Sequence, residues 1–265
     1  MSDWPASVGL VGCGAMGRAF AVGLARGRPD LAGRLVFADA LPLSAAGARQ
    51  EVGGGLVVPV AEAGAADLVV VAVKPKDAEA ALAELAPSLR EDALLLSLMA
   101  GVTIERIRAA AGSPGVVRAM PNLAVRHGAG IVALAGDGVP GERLTALCEL
   151  LDPLGTVVPL PEALIGPATA LVGSGPGFLA VVAEGLEDGA VAVGFTREQA
   201  RELVRGVIAG TGALLADGTD PAELRQRVSS PAGTTVEGIA ALERGAVRAH
   251  VADAVRAAAR RASEL

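Results

Sequence analysis

The sequence predicts an α/β protein with an N-terminal doubly wound, mainly parallel sheet and a C-terminal domain made only of helices. From Val8 to about Pro159, short apolar runs alternate with Ala-rich helical stretches, a pattern typical of a parallel sheet buried on both faces. After Pro159 the strand-like runs stop, and Gly and Pro separate longer helical stretches. We therefore expect two domains, residues 1–159 and 160–265.

The expected elements follow in chain order. Strands are predicted at Val8–Val11, Leu35–Ala38, Leu56–Val58, Leu68–Val73, Ala93–Leu98 and Val116–Ala119, with two more at Ile131–Leu134 and Thr156–Val158 around a helix near Pro140–Leu151. The predicted C-terminal helices are Pro161–Leu171, Gly177–Val193, Arg197–Leu215, Pro221–Arg227, Thr235–Arg244 and Val247–Ser263.

Composition excludes several classes of function. The net charge is −6 and no Lys/Arg cluster appears, which argues against a nucleic-acid partner. The two cysteines and two histidines are too scattered for a metal site, so no metal is expected. The two cysteines form no framework of regularly spaced pairs, which favours a reducing compartment. The first residues lack the basic and apolar regions of a signal peptide, so we expect a cytoplasmic protein.

One segment approaches the length of a membrane span. Residues Ala163–Ala183 are uncharged, yet Pro167, Gly173 and Pro176 interrupt the run, which favours two buried helices joined by a turn over a membrane contact. The predicted helix Gly177–Val193 is apolar on nearly every side and must be enclosed. A domain of about 105 residues can hardly enclose it alone, so we expect a partner subunit.

A glycine motif follows the first strand. Its residues are Gly12, Cys13, Gly14, Ala15, Met16 and Gly17. GxGxxG between a strand and a helix permits a tight turn, close approach of a pyrophosphate and close helix–strand packing, while free N–H groups face the phosphates. The motif predicts a Rossmann-type site for NADH or NADPH; the alternative is a glycine turn that only packs.

Charged residues follow the second and fourth predicted strands. Asp39 stands 22 residues after Gly17, where a carboxylate accepts hydrogen bonds from ribose hydroxyls and repels a 2′-phosphate, so NADH is favoured over NADPH. The alternative role for Asp39 is a helix N-cap. Lys74 lies at the ligand-binding edge of the sheet and either contacts the cofactor or is a surface charge beside Pro75.

The helical half contains a second candidate site. The run from Val228 to Glu237 places hydroxyls, small residues and a Gly where a helix is expected to begin. Free N–H groups there would bind a small anion such as a carboxylate. Alternatively, the spacing of Thr234 and Glu237 is that of a capping box.

The chain resembles the pyrroline-5-carboxylate reductase family nearly end to end. The matching segments are Val11–Gly17, Ala72–Pro75, Ser97–Val102, Arg118–Asn122, Ala168–Pro176 and Val228–Thr235. The last two segments are the most specific to the family. The chain departs from the usual pattern at Pro59, Leu123, Ala124, Gly177 and Ala232, where members commonly have Gly at the last position.

The resemblance implies a reaction and a set of site residues. The reaction is hydride transfer from NAD(P)H to the C=N bond of 1-pyrroline-5-carboxylate, which gives L-proline. The nicotinamide end would lie near Val73, Lys74, Pro75, Met99, Ala100, Gly101 and Asn122. The carboxylate would be held by Ser230, Gly233, Thr234 and Thr235, and the hydroxyl of Thr169 would face the ring nitrogen as the catalytic group. Members form homodimers through interleaved helical domains, and often decamers of five dimers.

Other classes fit less well. β-Hydroxyacid dehydrogenases need a lysine in the helical domain, and no lysine follows Lys76. Short-chain dehydrogenases need a catalytic Tyr, and the chain has none. A reductase of a related cyclic imine acid, or a non-catalytic metabolite-sensing protein on the same scaffold, stays open.

Overall fold

The computed structural model describes residues 4–112 and 115–264. The chain forms two compact units, Met1–Ser174 with Ala258–Leu265, and Gly175–Ala257. The domain limits expected from the sequence, 1–159 and 160–265, stay a prediction.

The first unit contains one eight-stranded sheet within its described residues. Its strands are β1 (Val8–Val11), β2 (Leu35–Ala38), β3 (Leu56–Val57), β4 (Leu68–Val71), β5 (Leu94–Ser97), β6 (Val116–Pro121), β7 (Gly130–Ala135) and β8 (Gly155–Pro159). The order is β3-β2-β1-β4-β5-β6-β7-β8, and neighbours run parallel except for β6 and β7. This is the strand order of a doubly wound sheet extended by two strands, and it confirms the predicted fold class.

The sheet is covered on both faces by helices of the same unit. These helices are α1 (Ala15–Gly27), α2 (Pro42–Val52), α3 (Val60–Ala63), α4 (Ala78–Leu85), α5 (Ile104–Ala111), α6 (Gly141–Leu151) and α7 (Ile165–Ala168). Phe20 and Leu147 belong to the apolar cluster on one face, and Leu82 and Ile107 to that on the other. All residues of β1, β4 and β5 are buried, which explains why these strands are continuous apolar runs in the sequence.

The second unit contains helices only. They are α8 (Gly175–Ala192), α9 (Arg197–Ala216), α10 (Pro221–Arg227), α11 (Thr234–Arg244) and most of α12 (Val247–Ala262). The start of α9 carries a complete capping box from Thr196 and Gln199. Asp220 caps α10 through hydrogen bonds from the N–H groups of Ala222 and Glu223.

The uncharged segment near residue 170 differs from the sequence expectation. The chain is helical from Glu162 to Ala192, and this 31-residue segment is long and apolar enough, by length and composition alone, to cross a membrane. Within it, a π-helical turn at Thr169–Gly173 and a turn at Ser174 stand where the sequence predicts the turn between two helices. No residue of α8 is buried, with Val181 67% exposed, so the single chain does not enclose this helix, in agreement with the expectation that a partner subunit is needed.

Candidate functional site

The phosphate loop has the geometry that its glycines predict. The backbone of Gly12 is left-handed, with φ 96°, and a Cβ there would lie 2.6 Å from the carbonyl carbon of Ala72. A Cβ on Gly17 would overlap the carbonyl oxygen of Gly12. Gly14 is the N-cap of α1 without a side-chain cap, and the space where its Cβ would stand is open. The loop therefore leaves room for an anion at the helix N-terminus.

Asp39 lies beside this loop with both carboxylate oxygens hydrogen-bonded. Oδ2 accepts the backbone N–H of Cys13 at 2.7 Å, and Oδ1 accepts that of Leu41 at 2.8 Å. The N-cap of α2 is Leu41, so the alternative of Asp39 as a helix N-cap is wrong. Each oxygen keeps a further lone pair for an outside donor.

A cavity of about 500 Å³ joins the loop, Asp39 and the ends of β1 and β4. Its lining residues are Val11, Gly12, Gly14, Asp39, Ala40, Leu41, Ser44, Val60, Ala72, Val73, Lys74, Lys76, Asp77, Ala80, Ala81 and Glu84. Lys74 is exposed and also lines the cavity, so its two predicted roles are compatible. The glycine cradle, uncapped helix end and partly exposed carboxylate fit a dinucleotide cofactor.

The thiol of Cys13 is separated from this chemistry. Its side chain is fully buried, and Sγ donates to the carbonyl oxygen of Ala38 at 3.6 Å. Burial, reinforced by the negative charge of Asp39, raises the pKa of the Cys13 thiol to about 12. The residue therefore serves the loop through its backbone N–H, and its sulfur is not a nucleophile near neutral pH.

The other predicted cofactor segments lie along the same edge of the sheet. Val73, Lys74 and Pro75 follow β4, while Met99, Ala100 and Gly101 follow β5. Asn122 follows β6, and its Oδ1 accepts the N–H of Ala124 at 3.2 Å. Because β4, β5 and β6 are parallel, these segments share the carboxyl edge where ligands bind in such sheets.

Thr169 belongs to the same unit as this edge. Its hydroxyl donates to the carbonyl oxygen of Ile165 at 3.0 Å. The apolar cluster beneath it contains Met120, Ala133, Ala135 and Ile165, with Ala100, Leu160, Ala168 and Val172 packed against them. Ala100 of the loop after β5 thus shares a cluster with residues on either side of Thr169. The structure brings this predicted catalytic residue close to the predicted nicotinamide end.

The predicted carboxylate site lies in the second unit. Gly233 donates its N–H to the carbonyl oxygen of Ser230 at 2.9 Å, which closes a turn with Pro231 at its second position. Ala232, at the third position, has a φ of 55°, in the left-handed region that usually requires Gly. A Cβ on Gly233 would overlap Oγ of Ser230. The turn is therefore compact and sterically constrained.

The N-terminus of α11 follows this turn. The helix begins at Thr234 with Gly233 as N-cap, and no side chain caps it, so the capping-box alternative for Thr234 is wrong. The first N–H groups of α11, those of Thr234 and Thr235, have no intrahelical partner. Such a helix end can bind a carboxylate.

The chain resembles proteins of known family over most of its length. Residues 162–265 match the family described as pyrroline-5-carboxylate reductase dimerisation, and residues 7–101 match NADP oxidoreductase, coenzyme F420-dependent. The pyrroline-5-carboxylate reductase of Mycobacterium leprae is 36% identical, over 98% of this chain and 97% of its own length. That of Thermus thermophilus is 40% identical over 77% of this chain and 78% of its own.

The chain belongs to the pyrroline-5-carboxylate reductase family. Among solved structures, the family member from Coxiella burnetii aligns with a TM-score of 0.89 and 30% identity, covering 98% of both chains. The Plasmodium falciparum pyrroline carboxylate reductase, solved with NADP bound, aligns with a TM-score of 0.86 and 26% identity, covering 97% of both. Membership confirms the resemblance and makes the chain an NAD(P)H-dependent oxidoreductase whose dimerisation domain forms homo-oligomers.

Sequence reasoning missed part of the cavity wall. Val60, Asp77, Ala80, Ala81 and Glu84 line it from α3, α4 and the 3₁₀ turn before α4. Ordinary helical residues carry no motif, and only the fold shows that these two helices flank the ends of β1 and β4. Within residues 4–112 and 115–264, no group of three His, Cys, Asp or Glu side chains is placed to hold a metal ion.

Proposed function

We propose that this chain reduces the C=N bond of 1-pyrroline-5-carboxylate with NAD(P)H to give L-proline. The observation that carries the proposal is Thr169, an uncharged hydroxyl in the helical segment that shares an apolar cluster with Ala100 of the loop after β5. The family-specific segments on either side of Ser174 and before α11 support it. A bound NAD(P)H supplies the hydride.

The cofactor would be held by groups of the first unit. The N–H groups of Gly14, Ala15 and Met16, at a helix start without a side-chain cap, would bind the pyrophosphate, with Gly12, Cys13 and Gly17 shaping the turn. Asp39 would accept the ribose hydroxyls of the adenosine. The segments Val73–Pro75 and Met99–Gly101, with Asn122, would flank the nicotinamide.

Thr169 binds and orients the substrate in this proposal. Its hydroxyl proton is directed to the carbonyl oxygen of Ile165, so Oγ1 presents a lone pair to an outside N–H. A protonated ring nitrogen carries such an N–H. A cyclic imine is basic enough to be substantially protonated near neutral pH, so the proton comes from solvent. The reaction then needs no Lys, Tyr or His acid, and positioning is the main contribution of the protein.

The substrate carboxylate would be bound at the start of α11. The N–H groups of Thr234 and Thr235 and the hydroxyls of Ser230 and Thr235 offer donors without a cationic side chain among them. Gly233 permits the close approach. We expect T235A to raise KM for the imine acid severalfold while the Kd of NADH changes less than twofold, because the cofactor groups lie in the other unit.

Asp39, the exposed helices and the free cysteines bear on cofactor choice, assembly and location. NADH is favoured because Asp39 would repel a 2′-phosphate. The apolar faces of α8 and α9 would be covered in a homodimer, and five dimers would form a decamer. Residues 160–265 form the substrate-binding and dimerisation domain in this scheme. Two cysteines without a disulfide suit a cytoplasmic location.

The test is oxidation of NADH and NADPH by the purified full chain with pyrroline-5-carboxylate, beside its six-membered homologue. We expect turnover with the five-membered acid and formation of proline. Preference for the six-membered acid would make the chain a reductase of a related imine. Absence of turnover with both, together with tight NADH binding, would favour the metabolite-sensing alternative.

A further inference from the structure

An ion pair between the buried Arg118 and the half-buried Glu162 ties together the elements that surround the predicted nicotinamide end. Oε1 of Glu162 accepts the backbone N–H of Ile104 at 2.7 Å and a guanidinium N–H of Arg118 at 3.0 Å. The Arg118 side chain is 6% exposed, and its Nε lies buried without a hydrogen-bond partner among the described residues. Loss of the carboxylate would leave the buried guanidinium without its counter-charge, so this contact is costly to break.

The three partners come from distant parts of the chain. Ile104 begins α5, three residues after Gly101, and Arg118 lies in β6, four residues before Asn122. Glu162 begins the helical segment that carries Thr169 seven residues later. One carboxylate oxygen thus joins the start of α5 and the strand β6, which flank the predicted nicotinamide end, to the segment with the predicted catalytic hydroxyl.

The apolar contacts alone fix this segment weakly. Ala100, Ala133, Ala135 and Ala168 make up half of the cluster under it, and small smooth side chains resist rotation or sliding less than interlocking large ones. The backbone also departs from regular α-helix here, since a 3₁₀ turn precedes α7 and a π-helical turn follows it. The position of the Thr169 hydroxyl along the segment therefore depends on the contact that holds the start of the segment, at Glu162.

We infer that Glu162 and Arg118 are positioning residues that set the place of the Thr169 hydroxyl relative to the Met99–Gly101 loop. The inference rests on the proposed function. Arg118 is buried within the sheet and is no ligand for a substrate anion, so the pair acts through Thr169 and the loop. A small displacement of a reacting or orienting group lowers turnover far more than it lowers binding of a large cofactor.

The experiment compares Glu162 with a matched carboxylate. Asp67 accepts the N–H groups of Ala6 and Ser7, at 2.8 and 3.1 Å, and pairs with Arg90 at 3.1 Å. It precedes β4 and therefore lies at the opposite edge of the sheet from the cofactor loop. The variants are E162A, E162Q and D67A, assayed as the full chain for kcat, KM, NADH affinity and Tm.

We expect E162A to lower kcat about tenfold or more, with the Kd of NADH changed less than about twofold. E162Q keeps the accepting oxygen but removes the counter-charge of Arg118, so it should lower Tm while it keeps kcat within about threefold of the wild type. D67A should lower Tm but leave kcat within about twofold. Should E162A fail to fold, E162D, one methylene shorter, replaces it in the same comparison.

A double-mutant cycle with T169A decides whether the pair acts through the hydroxyl. We expect the loss from E162A to shrink to less than about twofold once Thr169 is already Ala. An undiminished loss in the T169A background, or an unchanged kcat in E162A, would overturn this inference alone. A wild-type chain that does not reduce pyrroline-5-carboxylate would overturn the proposed function and this inference together.

Discussion

The charge of Asp39 gives the sharpest test of cofactor choice. D39N keeps the size of the side chain and removes its charge. One backbone N–H, from Cys13 or Leu41, can still be accepted by the amide oxygen, while the other loses its acceptor. We expect the ratio of kcat/KM for NADPH to that for NADH to rise about tenfold in D39N.

The magnitude follows from the position of the carboxylate. Two unit charges near 4 Å interact by about 1 kcal/mol in water and about 4 kcal/mol at an effective dielectric constant of 20. Asp39 is partly exposed, and Lys74 and Lys76 line the same cavity, so the lower part of this range applies. About 1.4 kcal/mol corresponds to a tenfold change in the ratio.

The assay is the initial rate of NADH and NADPH oxidation, with cofactor Kd from NAD(P)H fluorescence as a readout that needs no substrate. Asp67 provides the matched control, since it precedes β4 at the opposite edge of the sheet and D67N removes a charge that does not line this cavity. We expect a change below about twofold in D67N. An equal shift in both variants, or a wild-type chain that clearly prefers NADPH, would refute the role of Asp39.

The remaining predictions concern the turn before α11 and the thiols. G233A should raise KM for the imine acid at least tenfold, by about 1.4 kcal/mol or more, because the new Cβ overlaps the turn; an unchanged KM would place the carboxylate elsewhere. A232G should stabilise the protein by about 0.5–1 kcal/mol in thermal unfolding, since a left-handed Ala costs about 1–2 kcal/mol and Gly loses part of that in entropy. Cys13 should resist alkylation at pH 8 in the folded protein, because its raised pKa keeps the thiol protonated, and the half-buried Cys148 should react first. The neutral Cys13 thiol also contributes to the free energy of unfolding. That contribution is present below pH 9 and is lost as the pH rises towards 12.

The sequence predicts the strands well because their signal is local. β1 and β2 have the predicted bounds, and the other strands differ by two residues or fewer at each end. β1, β4 and β5 are buried on both faces, so their burial shows directly as continuous apolar sequence. The reversed direction of β7 against β6 carries no such signal, because the orientation of a strand is decided by contacts between distant segments.

The site was predictable where backbone geometry requires a particular residue. Gly12 and Gly17 reveal the loop because no other residue fits. Asp39 and Thr234 each allow a capping role by spacing, and only the structure shows that Leu41 and Gly233 are the N-caps. The contact of Glu162 with Ile104 and Arg118 joins residues 58 and 44 positions apart, and a pairing at that separation leaves no periodic trace in one sequence.

The exposed apolar surface of the helical unit makes protein concentration a thermodynamic variable. Leu179, Val181 and Val207 are 62%, 67% and 59% exposed in the single chain, and the proposed homodimer would cover such surface with another copy. Folding of this unit is then coupled to association by mass action, so dilution populates chains that lack part of their stabilising contacts. Tm should fall with dilution, and specific activity should decline and show a lag on re-concentration. Rates for variants of this protein are comparable only at equal chain concentration.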